Sequence, residues 1–290
     1  MKAQDRGIIS AYDLNKPWNR VGYIIMVIII VLASATMIYP ILVTFFNAFK
    51  PNHEVISFQP TLLPKEWVSG NFTKGWNYIP LTKYMKNTLM LFGGNMLSIM
   101  VVLGLAAFSL SKLALPNRRL ITLIFMTTLF IPPTTYIIPN FLNLKDLGLL
   151  NSFWAFWIPA SANAFFLLLL KTFFDGIHNE LFEASRIDGA SEFRSFVQIA
   201  VPLSIPIFAT LAIFTFATSW NDWFWPSLVM HSDNKYPLAT AIYNNVIDVR
   251  RLDLNIRFAI LSMVSVPPIV VFLLFQRYIM RGLHLSGVKG

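Results

Sequence analysis

The chain has 290 residues, of which 56% are hydrophobic and only 13% are charged, and its mean hydropathy is +0.59. Soluble domains carry about 25% charged residues, so this composition indicates an integral membrane protein. The net charge of +9 resides mainly at the ends of apolar segments, where basic residues set membrane topology, and nucleic-acid binding is not expected. The absence of cysteine excludes disulfides and thiolate metal sites.

The chain begins with a polar segment, residues 1–20, which is predicted to be cytoplasmic. The apolar run after it exceeds 20 residues and has no small-residue cleavage site, so it predicts a first transmembrane helix rather than a cleaved signal peptide. Residues 21–290 are predicted to form a single transmembrane domain.

A spanning helix needs about 20 mainly apolar residues. Six segments meet this requirement: 21–46, 87–113, 120–141, 153–173, 205–230 and 258–280. The predicted fold is therefore an all-α membrane protein with six transmembrane helices. Trp220-Asn221-Asp222 interrupts the fifth segment. Most arginines lie in the pieces that are cytoplasmic if both termini are inside, and this favours that orientation.

Several prolines lie inside predicted spans, among them Pro40 and the pairs 132–133 and 267–268. Each removes a backbone N–H and disturbs the carbonyl one turn back, so kinks are expected there. Three kinked helices favour a transporter over a simple anchor. Outside the spans, the apolar residues Leu238, Ile242, Val246 and Ile247 predict an amphipathic helix on the outer membrane surface.

The loop 171–203, called the docking loop below, is polar and lies on the predicted cytoplasmic side. Asn179 is a candidate N-cap for a helix over 180–187. Gly189 is expected to stop this helix in the left-handed conformation, and a second helix resumes near Ser191. Small residues and Glu183 indicate a surface that binds a soluble partner. An amphipathic hairpin without a partner is the alternative.

The docking loop resembles the Glu-Ala-Ala loop of ATP-binding-cassette (ABC) importer permeases. That consensus runs Glu-Ala-Ala, then Asp-Gly-Ala, nine residues from the glycine to Ile, and Leu-Pro soon after. The matching residues are Glu183, Ala184, Asp188, Gly189, Ala190, Ile199 and Pro202. Ser185 replaces the third motif position and Val201 replaces the Leu.

The resemblance is closest to the smaller permease subunit of the maltose-transporter type, in the carbohydrate-uptake family. It extends to Trp220-Asn221-Asp222, to residues 276–278 and to the C-terminal tail 281–290. It implies the type I ABC importer fold in a bacterial cytoplasmic membrane. The implied partners are a second permease, an ABC ATPase dimer, an extracytoplasmic solute-binding protein and a carbohydrate.

The resemblance also implies residue roles. The docking loop would sit in a cleft of the ATPase and tilt the spans when ATP draws the two ATPase subunits together. The end of the tail would reach into the interface between those subunits: Gly287, Val288, Lys289 and Gly290. ATP and Mg would be used by the partner ATPase.

No enzymatic motif is present in the sequence. There is no phosphate-binding Gly-x-x-x-x-Gly-Lys-Ser/Thr loop, no Gly-x-Ser-x-Gly nucleophile elbow, and the four histidines lack metal-ligand spacing. The chain is therefore expected to be no enzyme and to hold no metal or cofactor. Asp222 lies among aromatic residues, and both a sugar contact with Trp220 and Asn221 and an interfacial aromatic belt fit this composition.

Other functional classes remain open from the sequence alone. A self-sufficient secondary transporter with a proton relay predicts several buried ionisable groups in the spans, where Asp222 is essentially the only one. A membrane scaffold or insertion factor would use the docking loop without transport. Within ABC importers, an oligosaccharide is the first expectation, and a polyol or a glycerol phosphate ester is the alternative.

Overall fold

The computed structural model describes residues 17–248 and 252–287, with side chains as far as Gln276. All regular elements in these ranges are helical. In chain order they are α1 (Pro17–Asn47), α2 (Asn52–Val55), α3 (Gly70–Tyr78), α4 (Leu81–Lys112), α5 (Arg118–Thr128), α6 (Pro133–Asp146), α7 (Trp154–Ala160), α8 (Ala164–Asp175), α9 (Asn179–Ile187), α10 (Glu192–Leu203), α11 (Ile205–Asn221), α12 (Phe224–Val229), α13 (Leu238–Ile242) and α14 (Leu254–Gly287).

Three helices are long and apolar enough to cross a membrane unbroken, namely α1, α4 and the Leu254–Gln276 part of α14. Three further candidate spans each consist of two helices that meet at a bend: α5 with α6 at 92°, α7 with α8 at 44°, and α10 with α11 at 75°. The predicted all-helical architecture is confirmed, and six spans result when each bent pair counts as one.

The prolines differ in their effect on the helices. Helices α1 and α14 continue through Pro40 and the pair 267–268. At the pair 132–133, by contrast, α5 ends at Thr128 and Pro133 starts a new helical turn, so the third predicted span is broken rather than kinked. A second break, which was not predicted, follows Pro159 between α7 and α8.

The described chain forms two compact units. The first contains α1, α2, most of α3 and residues 252–264. Its polar centre is Asn71, whose amide donates to the carbonyls of Ala48 and Lys50, both at 2.9 Å. Asn255 donates to Asn71 Oδ1 at 3.1 Å and to the carbonyl of Lys50 at 3.2 Å. These bonds join the segment after α1 to α3 and to the start of α14.

A buried carboxylate organises the loop that follows α2. Glu54 accepts hydrogen bonds from Thr61 Oγ1 at 2.9 Å and from the backbone N–H of Lys65 at 3.1 Å. Lys50 is also buried and donates to the carbonyl of Thr61. Burial raises the pKa of Glu54, but these hydrogen bonds and the charge of Lys50 outweigh it, so the net pKa lies below the ordinary value.

This network predicts acid sensitivity of the first unit. Because the folded pKa of Glu54 is lowered, its contribution to stability is present above the unfolded pKa and is lost as pH falls through the folded pKa. We expect the thermal midpoint of the solubilised protein to fall below about pH 4.5, by about 2–4 °C per kcal/mol lost. The Glu54→Gln variant should lack this acid-dependent fall in the thermal midpoint. Glu66→Gln, which changes an exposed neighbouring carboxylate, should still show it. Identical pH profiles for all three proteins would contradict the role of Glu54.

The second unit contains the docking loop and most of the candidate spans. Its core surrounds Phe108 in α4, whose ring centroid lies 6.2 Å from Phe174, 5.6 Å from Phe182 and 5.4 Å from Phe196. Leu167 and Leu170 of α8 are fully buried in the same cluster. One aromatic side chain thus connects a spanning helix with both helices of the docking loop.

The segment predicted to lie on the outer membrane surface instead packs into the protein. It forms α13 and a π-helical turn, Tyr243–Ile247. Leu238, Ile242 and Val246 are buried, and the backbone N–H of Leu238 donates to the buried Thr88 Oγ1 of α4 at 2.8 Å. Ile247, the fourth residue of the predicted stripe, is exposed, and α13 packs against α4 and α11 rather than lipid.

Candidate docking loop and translocation residues

The docking loop is a tight helical hairpin. As predicted, Gly189 adopts the left-handed conformation, with φ of +77°. The N–H of Gly189 donates to the carbonyl of Arg186 at 3.0 Å, and the N–H of Ala190 donates to the carbonyl of Ser185 at 2.9 Å. This pair of bonds is the Schellman arrangement that closes a helix C-terminus. The backbone after α9 therefore reverses at a position that favours glycine.

The caps differ slightly from the prediction. Helix α9 begins at Asn179 itself, and His178 occupies the cap position without a side-chain cap bond. The Asn179 side chain instead accepts from Lys112 Nζ at 2.8 Å, and the same ammonium donates to the carbonyl of Ile177 at 2.6 Å. Ser191 caps α10 by accepting from the N–H of Arg194 at 3.2 Å. The start of the loop is thus fixed to the end of α4.

Two phenylalanines anchor the hairpin from its inner face. Phe182 of α9 is 2% exposed and Phe196 of α10 is 6% exposed, and both rings contact Phe108. Lys112 Nζ lies 5.3 Å from the centroid of the Phe182 ring. A Cβ added to Gly104 would lie 3.3 Å from Phe196 Cζ, so this ring packs closely on the backbone of α4. The hairpin is therefore packed directly against α4.

Polar bonds hold the two helices of the hairpin together. Arg186 Nε donates to Glu192 Oε1 at 2.7 Å, and this bond raises the pKa of Arg186 above its ordinary value. Ser185 Oγ lies 2.8 Å from Ser195 Oγ, which is 1% exposed. The departure from the Glu-Ala-Ala consensus at Ser185 thus has a structural reason, because its hydroxyl binds the facing serine of α10.

The predicted docking residues divide between two faces. Glu183, Ala184, Asp188 and Gly189 are exposed, and so is Pro202. Ser185, Ala190 and Ile199 are half-buried, and Ile199 packs against the core around Phe108. Sequence reasoning missed two apolar residues on the open side, Ile187 at 87% exposure and Phe193 at 65%. The sequence feature that could have identified them is an apolar side chain next to a polar turn.

The residues considered for the translocation path lie at the end of α11. Trp220 is buried and stacks on Phe216 with ring centroids 5.1 Å apart. Asn221 is exposed and donates to the carbonyl of Ala217 at 2.7 Å. Asp222 Oδ1 accepts the N–H groups of Phe224 and Trp225, each at 3.1 Å. The predicted interruption of the fifth span is therefore a capped break between α11 and α12.

The remaining predictions concern the tail and metals. Helix α14 extends to Gly287, whereas Val288, Lys289 and Gly290 lie outside the described residues. Among the described residues, no three His, Asp or Glu side chains are grouped as metal ligands.

A family model for the binding-protein-dependent transport system inner membrane component matches residues 6–284. The chain is 30% identical over 260 residues to the diacetylchitobiose uptake system permease protein NgcG of Streptomyces coelicolor, covering 87% of this chain and 84% of that protein. It is also 30% identical over 280 residues to the sn-glycerol-3-phosphate transport system permease protein UgpE of Escherichia coli, covering 93% and 97%.

A crystal structure of a bacterial ABC transporter involved in the import of the acidic polysaccharide alginate has a chain of the same fold. The TM-score is 0.83 at 23% sequence identity, over 91% of this chain and 98% of that chain.

The helical fold, the apolar candidate spans and the docking-loop hairpin are those of a membrane permease. The chain belongs to the family of binding-protein-dependent transport system inner membrane components, which are the permease subunits of ABC importers. This is a family of transporter components rather than of enzymes. Such a permease works with a separate ATPase and a solute-binding protein. Membership of this family therefore favours an ABC importer subunit over a secondary transporter or a membrane scaffold.

Proposed function

We propose that this chain is one of two permease subunits of an ATP-driven importer for a carbohydrate, with an oligosaccharide as the first expectation. The observation that carries this proposal is the docking loop. Its outer face presents Glu183, Ala184 and Asp188 to solvent, while Phe182 on its inner face is fixed to α4. A hairpin that is rigid inside and open outside is suited to receive the movement of a soluble ATPase.

The carbohydrate assignment is supported by the relatives. NgcG belongs to a diacetylchitobiose uptake system, and the fold is shared with an alginate importer. UgpE, from a system for sn-glycerol 3-phosphate, is similarly related and supports the alternative of a glycerol phosphate ester. These solutes are polar and rich in oxygen, so a path lined by hydrogen-bonding groups is required for each of them.

The partner proposals follow from surfaces that the chain leaves open. Helix α1 is 31 residues long, is mainly apolar and has no buried residue, so lipid and a second permease are its natural cover. The docking loop and the tail Gly287, Val288, Lys289 and Gly290 would contact an ATPase dimer, which binds ATP and Mg.

Both termini, including the segment 1–20, would be cytoplasmic in a bacterial cytoplasmic membrane, and the solute-binding protein would act outside. Residues 21–290 would act as one permease domain.

The coupling mechanism uses contacts of this chain alone. A push on the outer face of α9 moves Phe182, and the ion pair between Arg186 and Glu192 forces α10 and Phe196 to move with it. Both rings press on Phe108, so α4 tilts as the hairpin moves. Close-packed interiors transmit such displacements because they have few voids to absorb them. This tilt would open the half of the translocation path that this chain forms alternately to the two sides of the membrane.

Replacing Glu183 with lysine should test the docking surface. The side chain is exposed, so we expect normal membrane insertion, but the reversed charge opposes a basic partner group and should reduce co-purification of the ATPase at least tenfold, or about 1.4 kcal/mol. Asp146→Lys is the matched control, because this exposed carboxylate lies at the end of α6 on the predicted opposite side. Equal ATPase recovery with wild type, Glu183→Lys and Asp146→Lys would refute docking through Glu183.

A further inference from the structure

The candidate span formed by α5 and α6 is interrupted in its apolar middle. Helix α5 ends at Thr128, and the next helical turn starts at Pro133. The two helices meet at 92°. Residues 120–144 contain no charged side chain, and the charges that flank this span lie beyond both ends of that range. If the pair crosses the membrane, its irregular backbone therefore lies within the hydrocarbon region.

The two prolines at the break leave one backbone carbonyl without a helical donor. In a helix, a carbonyl accepts from the N–H four residues further on, or three in a tighter turn. For the carbonyl of Leu129 these two positions are Pro132 and Pro133, and neither has an N–H. Irregular backbone is tolerated at membrane depth only where protein or water covers it, because lipid tails offer no hydrogen bonds. Lipid is therefore excluded as the cover of this break.

The side chains around the break are equally unsuited to water. Residues 126–136 are all exposed, and they include Phe130 at 86% and Ile131 at 49%. Large apolar side chains disfavour contact with water in proportion to their exposed area. A water-filled path is therefore a poor cover for the same segment that lipid cannot cover.

The exposed apolar surface is large enough for a stable protein interface. Ten large apolar or aromatic side chains of this broken span are 47–86% exposed, namely Leu120, Leu123, Ile124, Met126, Leu129, Phe130, Ile131, Tyr136, Ile138 and Leu142. Together they offer on the order of 800 Å², which is the area that one partner contributes to a standard interface.

We propose that the broken span of α5 and α6 is the surface on which the second permease subunit packs. An ATPase or a solute-binding protein acts at the membrane surface, so neither reaches a break at this depth. The partner presents an apolar helix face with a hydrogen-bond donor, such as a serine or threonine hydroxyl, for the carbonyl of Leu129. This inference rests on the proposed function and names the face through which the two permeases assemble.

Photo-crosslinking in membranes that hold the assembled importer tests this surface. Benzoylphenylalanine takes the place of Phe130, or of Ile138 on α6, in the full chain. Both side chains are strongly exposed, at 86% and 71%, so the larger ring is compatible with folding of the chain. Membranes are irradiated, and the proteins joined to this chain are identified by mass spectrometry.

Leu97 is the matched control position. Its side chain is 63% exposed, but it lies on α4, where the backbone is helical throughout and lipid is a sufficient cover. We expect adducts with a second, different permease from Phe130 and Ile138, and none from Leu97. Lipid adducts alone at both test positions, or adducts with the ATPase, the solute-binding protein or a second copy of this chain, would overturn the proposal. Equal permease adducts from Leu97 would show that the break does not select the interface.

Co-purification with the wild-type chain separates this inference from the function on which it rests. Recovery of an ATPase and a second permease, without permease adducts at Phe130 or Ile138, means that the importer stands and the proposed surface fails. Recovery of neither subunit with wild type means that the proposed function itself fails.

Discussion

Replacing Gly189 with proline should abolish ATPase recruitment and solute uptake while the chain still inserts into the membrane. The left-handed φ of +77° is inaccessible to proline, whose ring fixes φ near −65°. Proline also removes the N–H that donates to the carbonyl of Arg186. The turn between α9 and α10 would open, and the contacts of Ser185 with Ser195 would be lost with it.

Gly189→Asn provides the matched control for that change. Asparagine tolerates the left-handed region and keeps its backbone N–H, and a Cβ at this position meets no atom within 4 Å. We expect this variant to retain most of the ATPase binding and uptake, with a loss of about 1 kcal/mol or less in loop stability. Both activities are measured on the complex purified in mild detergent. Loss of coupling in Gly189→Asn as severe as in Gly189→Pro would mean that the hairpin turn is not the decisive feature.

The second large effect is expected where α4 meets α7. A Cβ added to Gly94 would lie 2.1 Å from Trp157 Cε2 and from Trp157 Nε1, far inside van der Waals contact. The Trp157 indole cannot move aside easily, because it packs against two other rings. Its ring centroid lies 5.9 Å from that of Phe153, in a stacked arrangement, and 5.1 Å from that of Trp154, in an edge-on arrangement. Gly94→Ala should therefore separate the two helices and cost about 1–3 kcal/mol, as overpacking does in other tightly packed interiors.

Gly93→Ala is the internal reference, since a Cβ at Gly93 meets nothing within 4 Å. Heating the two variants and wild type in detergent, followed by size-exclusion chromatography, measures the difference in stability. We expect Gly93→Ala to match wild type and Gly94→Ala to aggregate at a clearly lower temperature. Equal midpoints for the two variants would show that small size at Gly94 is not required for helix packing.

The two adjacent glycines, Gly93 and Gly94, show that the sequence alone does not reveal which small residue lies at a helix contact. Gly93 and Gly94 are indistinguishable by composition or periodicity, because both sit in one apolar helix. Only the position of Trp157, which is 63 residues away from Gly94 in the chain, makes one of them indispensable. Small residues permit close approach of helices, but the partner helix decides which small residue is used.

Local chemistry determined much of the fold without tertiary information. The low charge content and the long apolar runs fixed a helical membrane protein, because backbone polar groups in lipid must pair within a segment. The docking loop was equally informative, because the turn at Gly189 and the start of a second helix near Ser191 depend on residues only a few positions away. The predicted cap at Asn179, by contrast, was wrong. The family followed from the same short stretch, and its membership is confirmed.

The tertiary structure alone decided how those elements are joined and which groups are left unpaired. Proline is unfavourable in a helix interior, yet α14 continues through 267–268 while the chain breaks at 132–133. Likewise, Asn95 Oδ1 and Ser219 Oγ are buried without a described partner only because α4 packs against α11. Such non-local contacts produce no periodic pattern in the sequence, because the side chains that meet are far apart along the chain.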